Sequence, residues 1–298
     1  MTRSPLSYRD LFVTATPLVT NRVGETPPAV SVLGVPFDSS STYRTGSRFG
    51  PNAIREAFLN IEVYSPRLMV DLETQSIEDL GNLHPTANLP RMAEMVEKVV
   101  SELLHEEKTP VLLGGEHTLT YGSYLAMPPE TAIVVFDAHF DMRNEYSDLS
   151  LMHATFLRRV IEKVGVDRVV HVGARAASAA EWRYVDSEKV SHIPCQAILR
   201  SPDPGRLLQD QVEDFRNLYV SIDLDVLDPA FAPAVGNPEP GGLSTPQMLE
   251  LIYALKGKHL TGFDIVELCP QYDNGATVTA AARLLAELTC LVVLEKGR

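Results

Sequence analysis

Ala132-Ile-Val-Val-Phe136 runs directly into Asp137-Ala-His139-Phe-Asp141, and the join between these two stretches decides how the chain is read. A short apolar run rich in β-branched residues predicts a buried strand. Metal-ligating side chains then follow at every second position. Alternate residues of an extended chain point the same way, so Asp137, His139 and Asp141 are predicted to converge on one point. The pattern recurs twice: Leu218-Tyr-Val-Ser-Ile222 leads into Asp223-Leu-Asp225, and Pro110-Val-Leu-Leu113 leads into Gly114-Gly-Glu-His117. Three strand ends thus offer His117, Asp137, His139, Asp141, Asp223 and Asp225, enough ligands for two bridged metal ions.

Four carboxylates forced together repel unless cations neutralise them. Hard oxygen donors mixed with imidazole suit Mn²⁺ first, then Fe²⁺, Co²⁺ or Zn²⁺, and the lack of thiolate argues against a structural zinc. A lone Asp at a strand end is usually a cap or turn residue, and a lone His a satisfied polar group. Three clusters of matching chemistry are hard to produce as independent turns. Asp228, followed by Pro229, reads as a turn opener rather than a ligand, and Glu116 stays open between those two roles.

Further strand-like runs at Val30–Val35, Val169–Val172 and His259–Val266 alternate with helix-like ones, which implies a parallel sheet. Helical spacing of apolar residues is clear from Leu89 to Glu107, from Ala154 to Val164 and from Thr245 to Leu255. Ser244-Thr-Pro246 starts the last of these in the usual way, with a cap residue and an early proline. A nearly all-apolar helix from about Val278 to Val293 is predicted to lie on the sheet or at a subunit contact.

The segment Asp228 to Gly242, DPAFAPAVGNPEPGG, is too rich in Pro and Gly for regular structure. Ligands of open α/β sheets bind in loops beyond the carboxyl ends of strands, so this loop reads as an active-site wall. Arg44 to Arg55 forms a second such loop leading into a helix, and no dinucleotide or phosphate-cradle spacing is present.

The length of 298 residues allows one large α/β domain as readily as two, and no linker decides for two. The expectation is a single domain over 1–298, with 1–28 a peripheral N-terminal extension. A hydrophobic content of 45 % and a charged content of 22 % are ordinary for a globular protein, and no unbroken apolar run approaches a membrane span. The start of the chain lacks a basic region followed by an apolar core, and Cys195, Cys269 and Cys290 form no CxxC. Both point to the cytoplasm. A net charge of −13 makes nucleic acid a poor partner and a cationic substrate a compatible one.

GGEHTLT at 114–120, DAHFD at 137–141 and SIDLDVLDPAFAP at 221–233 resemble the three signature regions of the ureohydrolases, the arginase and agmatinase family. The resemblance extends to GVPFDSSSTYRTGSRFGPNAIRE at 34–56, NPEPGGL at 237–243 and DIVELCPQYD at 264–273. It implies a three-layer α/β/α fold with a central, mainly parallel sheet of about eight strands. It also implies hydrolysis of a guanidinium group to urea and an amine at a two-Mn²⁺ site, in a homotrimer or homohexamer.

Carried over residue by residue, the resemblance gives one ion to His117, Asp137, Asp141 and Asp223, and the other to Asp137, His139, Asp223 and Asp225. Asp141 would also orient the nucleophile, His153 would shuttle the proton, and Glu267 would hold the guanidinium. Glu116, Ala154 and Asn237 stand where many members have Asp, Gly and Thr. Asn237 and the segment Met142–Leu151 match the region that contacts the distal part of the substrate. There Glu145 and Asp148 oppose Arg143, which faces solvent or pairs with an acid such as Glu145. This balance suits a distal ammonium, so the expected reaction is agmatine to putrescine and urea. Arginase, guanidinobutyrase and formiminoglutamase activities are the alternatives, and a non-catalytic metal-binding or regulatory protein is the alternative from another class.

Overall fold

A computed structural model describes residues 7–14 and 28–297. Its strands, in chain order, are β1 Val13–Thr14, β2 Val30–Val35, β3 Tyr64–Ser65, β4 Val70–Asp71, β5 Ile77–Leu83 and β6 Thr109–Gly114. They continue with β7 Ala132–Phe136, β8 Val169–Val172, β9 Ser191–Ile193, β10 Asn217–Asp223 and β11 His259–Val266. Nine of them form one sheet in the order β1-β5-β2-β6-β11-β10-β7-β8-β9, and β3 pairs separately with β4. All neighbours in the large sheet are parallel except β1, which runs antiparallel to β5.

Both faces of the sheet are covered, as its continuous apolar strands require. Successive residues of one strand serve opposite cores. Val30, Val32, Val134, Phe136, Val220 and Ile222 face helices Gly50–Phe58, Thr245–Tyr253 and Ala276–Lys296. Leu33, Val35, Ile133, Val135 and Tyr219 face helices Leu89–His105 and Phe156–Val164. Each fully buried Val, Leu or Ile contributes about 1.5–3 kcal/mol against exposure, so layering is decided by strand periodicity. The result is the α/β/α architecture.

The sheet has nine strands where about eight were expected. The additional edge comes from the N-terminal region: Val13 pairs with Leu83, and Phe12 is buried against the helix Leu89–His105. Residues 7–14 are therefore tied to the sheet edge, while the rest of that region lies outside the described residues. The apolar helix reaches from Ala276 to Lys296 and packs on β11 and on helix Gly50–Phe58. Among the described residues it is the one helix long and apolar enough to cross a membrane, although no unbroken apolar run predicted this. Within its apolar window 72 % is buried inside the fold.

Candidate active site

β6, β11, β10 and β7 are consecutive neighbours, and their register is level at the carboxyl end: Leu113 pairs with Ile265, Val266 with Asp223, and Ile222 with Phe136. The residues that follow these four strands therefore emerge together. Gly115 makes the turn after β6 possible, because a Cβ there would lie 2.0 Å from the Phe37 carbonyl oxygen. That turn delivers His117.

His117 Nδ1 lies 3.1 Å from Asp137 Oδ2, 3.3 Å from Asp141 Oδ2 and 3.4 Å from Asp223 Oδ2. Its other nitrogen, Nε2, is 2.9 Å from Ser221 Oγ, which donates to Asp264 at 2.6 Å. The ring is thereby turned so that Nδ1 meets the carboxylates. On the other side of Asp137, His139 Nδ1 lies 3.6 Å from Oδ1 and 2.9 Å from Asp225 Oδ2. Two groups result, His117–Asp137–Asp141 and Asp137–His139–Asp225, with donor atoms inside each lying within 4.8 Å of one another. Asp137 is common to both, and Asp223 approaches the first.

Asp141 arrives differently from the sequence expectation. Strand β7 ends at Phe136, so alternation along an extended chain does not carry as far as 141. Asp141 instead adopts φ 52, and Glu267, just beyond β11, adopts φ 68. Left-handed backbone at a non-glycine costs on the order of 1–3 kcal/mol and persists where surroundings enforce it. The Asp141 carbonyl accepts from Leu157 N at 3.1 Å, while Glu267 N donates to the Gly115 carbonyl at 2.9 Å.

The electrostatics of the cluster are in conflict with themselves. Burial and the Asp137 charge push Asp141 up to about 8, and burial with the Asp225 and Asp137 charges raises Asp223 well above the carboxylate range. For His139, burial is outweighed by Asp225 and Asp137, which hold its imidazole up at about 12. Asp137 is also pushed up by burial, but the two imidazoles hold it below its ordinary value. His117 Nδ1 and Asp137 Oδ2 are buried without a hydrogen-bond partner. Divalent cations resolve every one of these tensions, and the oxygen-plus-imidazole donor set fits them.

A cavity of about 340 Å³ opens over the cluster, lined among others by Asp141, His153, Asp223, Asp225, Asn237 and Glu267. Glu267 Oε1 accepts from His117 N at 2.8 Å, and its Oε2 lies where a Cβ on Gly236 would come within 3.0 Å. That proline-rich loop is a cavity wall, as expected. Asp228 opens the turn, accepting from Ala230, Gly241 and Gly242 at 2.9, 2.7 and 3.0 Å. Arg175 pins the same loop, donating to the carbonyls of Asp225 at 2.7 Å and Glu239 at 2.8 Å. No motif singles out Arg175 in the sequence.

The distal end differs from the expectation. Glu145 and Asp148 are exposed and do not line the cavity. Asp148 sits in a turn with φ 61, and of the same segment Arg143 and Tyr146 line the cavity instead. Apart from Glu267 and the aspartates of the cluster, the acids that line the cavity are Glu181 and Glu239. Arg143 pairs with Glu181 at 3.5 Å rather than with Glu145, and its guanidinium lies 4.6 Å over the Tyr146 ring. Glu181 was missed because it caps its own helix from Ser178, far along the chain.

Residues 28–290 match the family model described as the arginase family. The chain belongs to the arginase family. It is a metal-dependent ureohydrolase acting on a small guanidino substrate. This arginase-family chain is 38 % identical over 264 residues to an agmatinase of Halalkalibacterium halodurans, with 86 % of the chain and 90 % of that protein covered. It is 38 % identical over 260 residues to an N(1)-aminopropylagmatine ureohydrolase of Thermococcus kodakarensis, covering 85 % and 87 %. Among solved structures, the agmatine ureohydrolase of Thermoplasma volcanium superposes with a TM-score of 0.88 at 35 % identity, covering 95 % and 96 %.

Proposed function

We propose that this ureohydrolase is an agmatinase that holds two Mn²⁺ ions and releases putrescine and urea. The observation that carries the two-ion reading is the shared carboxylate: Asp137 turns Oδ2 toward His117 and Oδ1 toward His139. His117, Asp137, Asp141 and Asp223 would hold one ion, and Asp137, His139, Asp223 and Asp225 the other. When bound, such ions supply the acidity that makes water a nucleophile at neutral pH.

The chain's own residues do the rest. Guanidinium carbon is a poor electrophile, so it must be aimed. Glu267 would accept two parallel hydrogen bonds from the planar cation and fix that orientation. Asp141 would orient the attacking water. His153 is buried on the cavity wall, and that burial holds its imidazole down at about 4, so the resting ring is neutral and able to accept a proton. It would then pass that proton to the departing nitrogen, without which the amine cannot leave.

Agmatine is favoured at the far end of the cavity. Arg143 is neutralised by Glu181, whereas Glu239 has the His139 imidazole, at 3.8 Å, and no Lys or Arg within ion-pair reach among the described residues. A carboxylate on the cavity wall with no Lys or Arg partner suits a distal ammonium and disfavours a distal carboxylate. Names of the relatives point the same way. Assembly into a homotrimer or homohexamer is proposed on the family resemblance alone. Incubating purified protein with Mn²⁺ and agmatine, arginine or 4-guanidinobutyrate, and measuring urea, tests the reading. Urea from none of them overturns it.

A further inference from the structure

Glu116 is fully buried yet lies outside both ligand groups and off the cavity wall. Three donors converge on its carboxylate. Ser40 N donates to Oε2 at 2.7 Å, while Ser40 Oγ and Thr118 Oγ1 donate to Oε1 at 2.5 and 2.6 Å. The same Ser40 Oγ lies 3.3 Å from His153 Nδ1 and accepts from His153 N at 3.3 Å. Thr42 Oγ1 is 3.3 Å from the other ring nitrogen, Nε2.

A hydroxyl carries one proton. Ser40 gives its proton to Glu116, so toward His153 its oxygen can act only as an acceptor, and Nδ1 must bear the hydrogen. A neutral imidazole with hydrogen on Nδ1 has a bare Nε2. Thr42 and His153 both line the cavity, so the bare nitrogen lies on the side of the substrate.

We infer that Glu116 and Ser40 are a positioning pair for His153, locking its ring in the Nδ1–H tautomer so that Nε2 is free to take and return the proton in guanidinium hydrolysis. The inference rests on His153 as the proton carrier. Glu116 acts at one remove, and it reaches the ring through a serine on the loop after β2. The backbone N–H of Ser40 supplies directionality: it always donates, so it fixes which carboxylate oxygen is left for the hydroxyl.

That directionality gives a specific test. In Glu116→Gln the amide oxygen must face Ser40 N–H, which cannot reverse, and the amide NH₂ must face the two hydroxyls, which can. Ser40 Oγ then accepts from the amide and its own proton turns toward His153 Nδ1, expelling the ring hydrogen to Nε2. The ¹⁵N spectrum of the enzyme loaded with diamagnetic Zn²⁺, assigned by difference against His153→Asn, reads the tautomer directly. The expected result is Nδ1–H in the wild type, Nε2–H in Glu116→Gln and a mixture in Ser40→Ala.

With Mn²⁺ bound, kcat for agmatine falls roughly ten- to hundredfold in both variants, part of the 10²–10⁴ that general acid–base catalysis contributes, while KM and metal content stay within twofold. In the His153→Asn background Ser40→Ala has no additional effect. Wild-type His153 with hydrogen on Nε2, an unmoved tautomer in Glu116→Gln, or an undiminished Ser40→Ala loss in the His153→Asn background would each overturn the inference. Full turnover in His153→Asn alone would instead sink the proton-carrier reading and, with it, the catalytic purpose of the pair. The spectra would still decide whether the pair orients the ring. Two variants probe the link independently, so misfolding of one leaves the other decisive.

Discussion

Oδ2 of Asp137 lies 3.1 Å from Nδ1 of His117, and both atoms are buried without a hydrogen-bond partner. A buried polar atom left unpaired costs on the order of 1–3 kcal/mol, and here two face each other across a gap of ligand width. The same carboxylate turns its other oxygen to His139.

Asp137→Asn should therefore cost both metal sites. Wild-type protein is expected to retain two equivalents of Mn²⁺ by elemental analysis and to gain thermal stability on adding the ion, since a ligand bound only by the native state stabilises it. The variant should lose both responses together with nearly all urea release. Retention of one full equivalent by Asp137→Asn would show that the carboxylate is not shared.

Glu267→Gln keeps the shape of the side chain but removes the charge from the pair with guanidinium. A charge-assisted hydrogen bond contributes about 1.5–3 kcal/mol, so kcat/KM should drop about ten- to hundredfold, mostly through KM, with the metal content unchanged. Gly236→Ala should have a similar effect by another route, because its Cβ would crowd Glu267 Oε2. Unchanged efficiency in both would remove Glu267 from the substrate.

The parts of this fold legible in the sequence are those where burial and local chemistry agree. β7, β8 and β11 occupy the predicted runs because fully buried parallel strands are written as unbroken apolar stretches. β5 and β9 were missed for the converse reason: Ile77–Leu83 carries Glu78 and Asp79 and is only alternately buried, and Ser191–Ile193 is three residues long. The clustering His and Asp side chains are legible in the sequence as candidate ligands, but the route by which Asp141 reaches the cluster is not, since left-handed backbone at an aspartate has no sequence signature. Glu145 and Asp148 follow the ligand motif closely in sequence yet do not line the cavity, because nearness along the chain is not nearness in space. Glu181 and Glu239 follow other strands, β8 and β10, and only the sheet order brings them to the cavity.

Acid should weaken the protein partly through His171. Burial holds its imidazole down at about 4, against 6.5 in an exposed ring, and its Nε2 donates to the His139 carbonyl at 2.6 Å. Between these values the unfolded chain binds a proton that the folded one refuses. The stabilisation is thus present above about pH 6.5 and lost as pH falls toward 4, by up to about 3 kcal/mol. Urea melts at pH 7 and pH 5 should show a smaller loss in His171→Asn than in the wild type. Equal losses would clear His171 of the effect.

Arg175→Lys should loosen the loop that carries Asn237 and Glu239. A guanidinium satisfies several carbonyls at once through its fixed fork, which a lysine ammonium cannot reproduce. KM for agmatine should rise several-fold with kcat less affected, and limited proteolysis should cut within 228–242 where the wild type resists. A wild-type cleavage pattern would assign Arg175 a purely local role.

Substrate choice should turn on Glu239. Agmatine and 4-guanidinobutyrate share the guanidinium and differ at the far end, ammonium against carboxylate, so Glu267 and the metal ligands cannot tell them apart. Glu239 attracts the first and repels the second across a cavity wall that is partly wet; its side chain is 39 % exposed, so screening keeps the discrimination modest. The wild type should prefer agmatine in kcat/KM. Glu239→Gln should lower that preference about tenfold, mainly by losing agmatine binding, and Arg143→Gln should leave the preference in place because Glu181 already neutralises that cation. If guanidinobutyrate or arginine is the better substrate of the wild type, the distal reading fails, and Arg143 rather than Glu239 becomes the group that reads the substrate's far end.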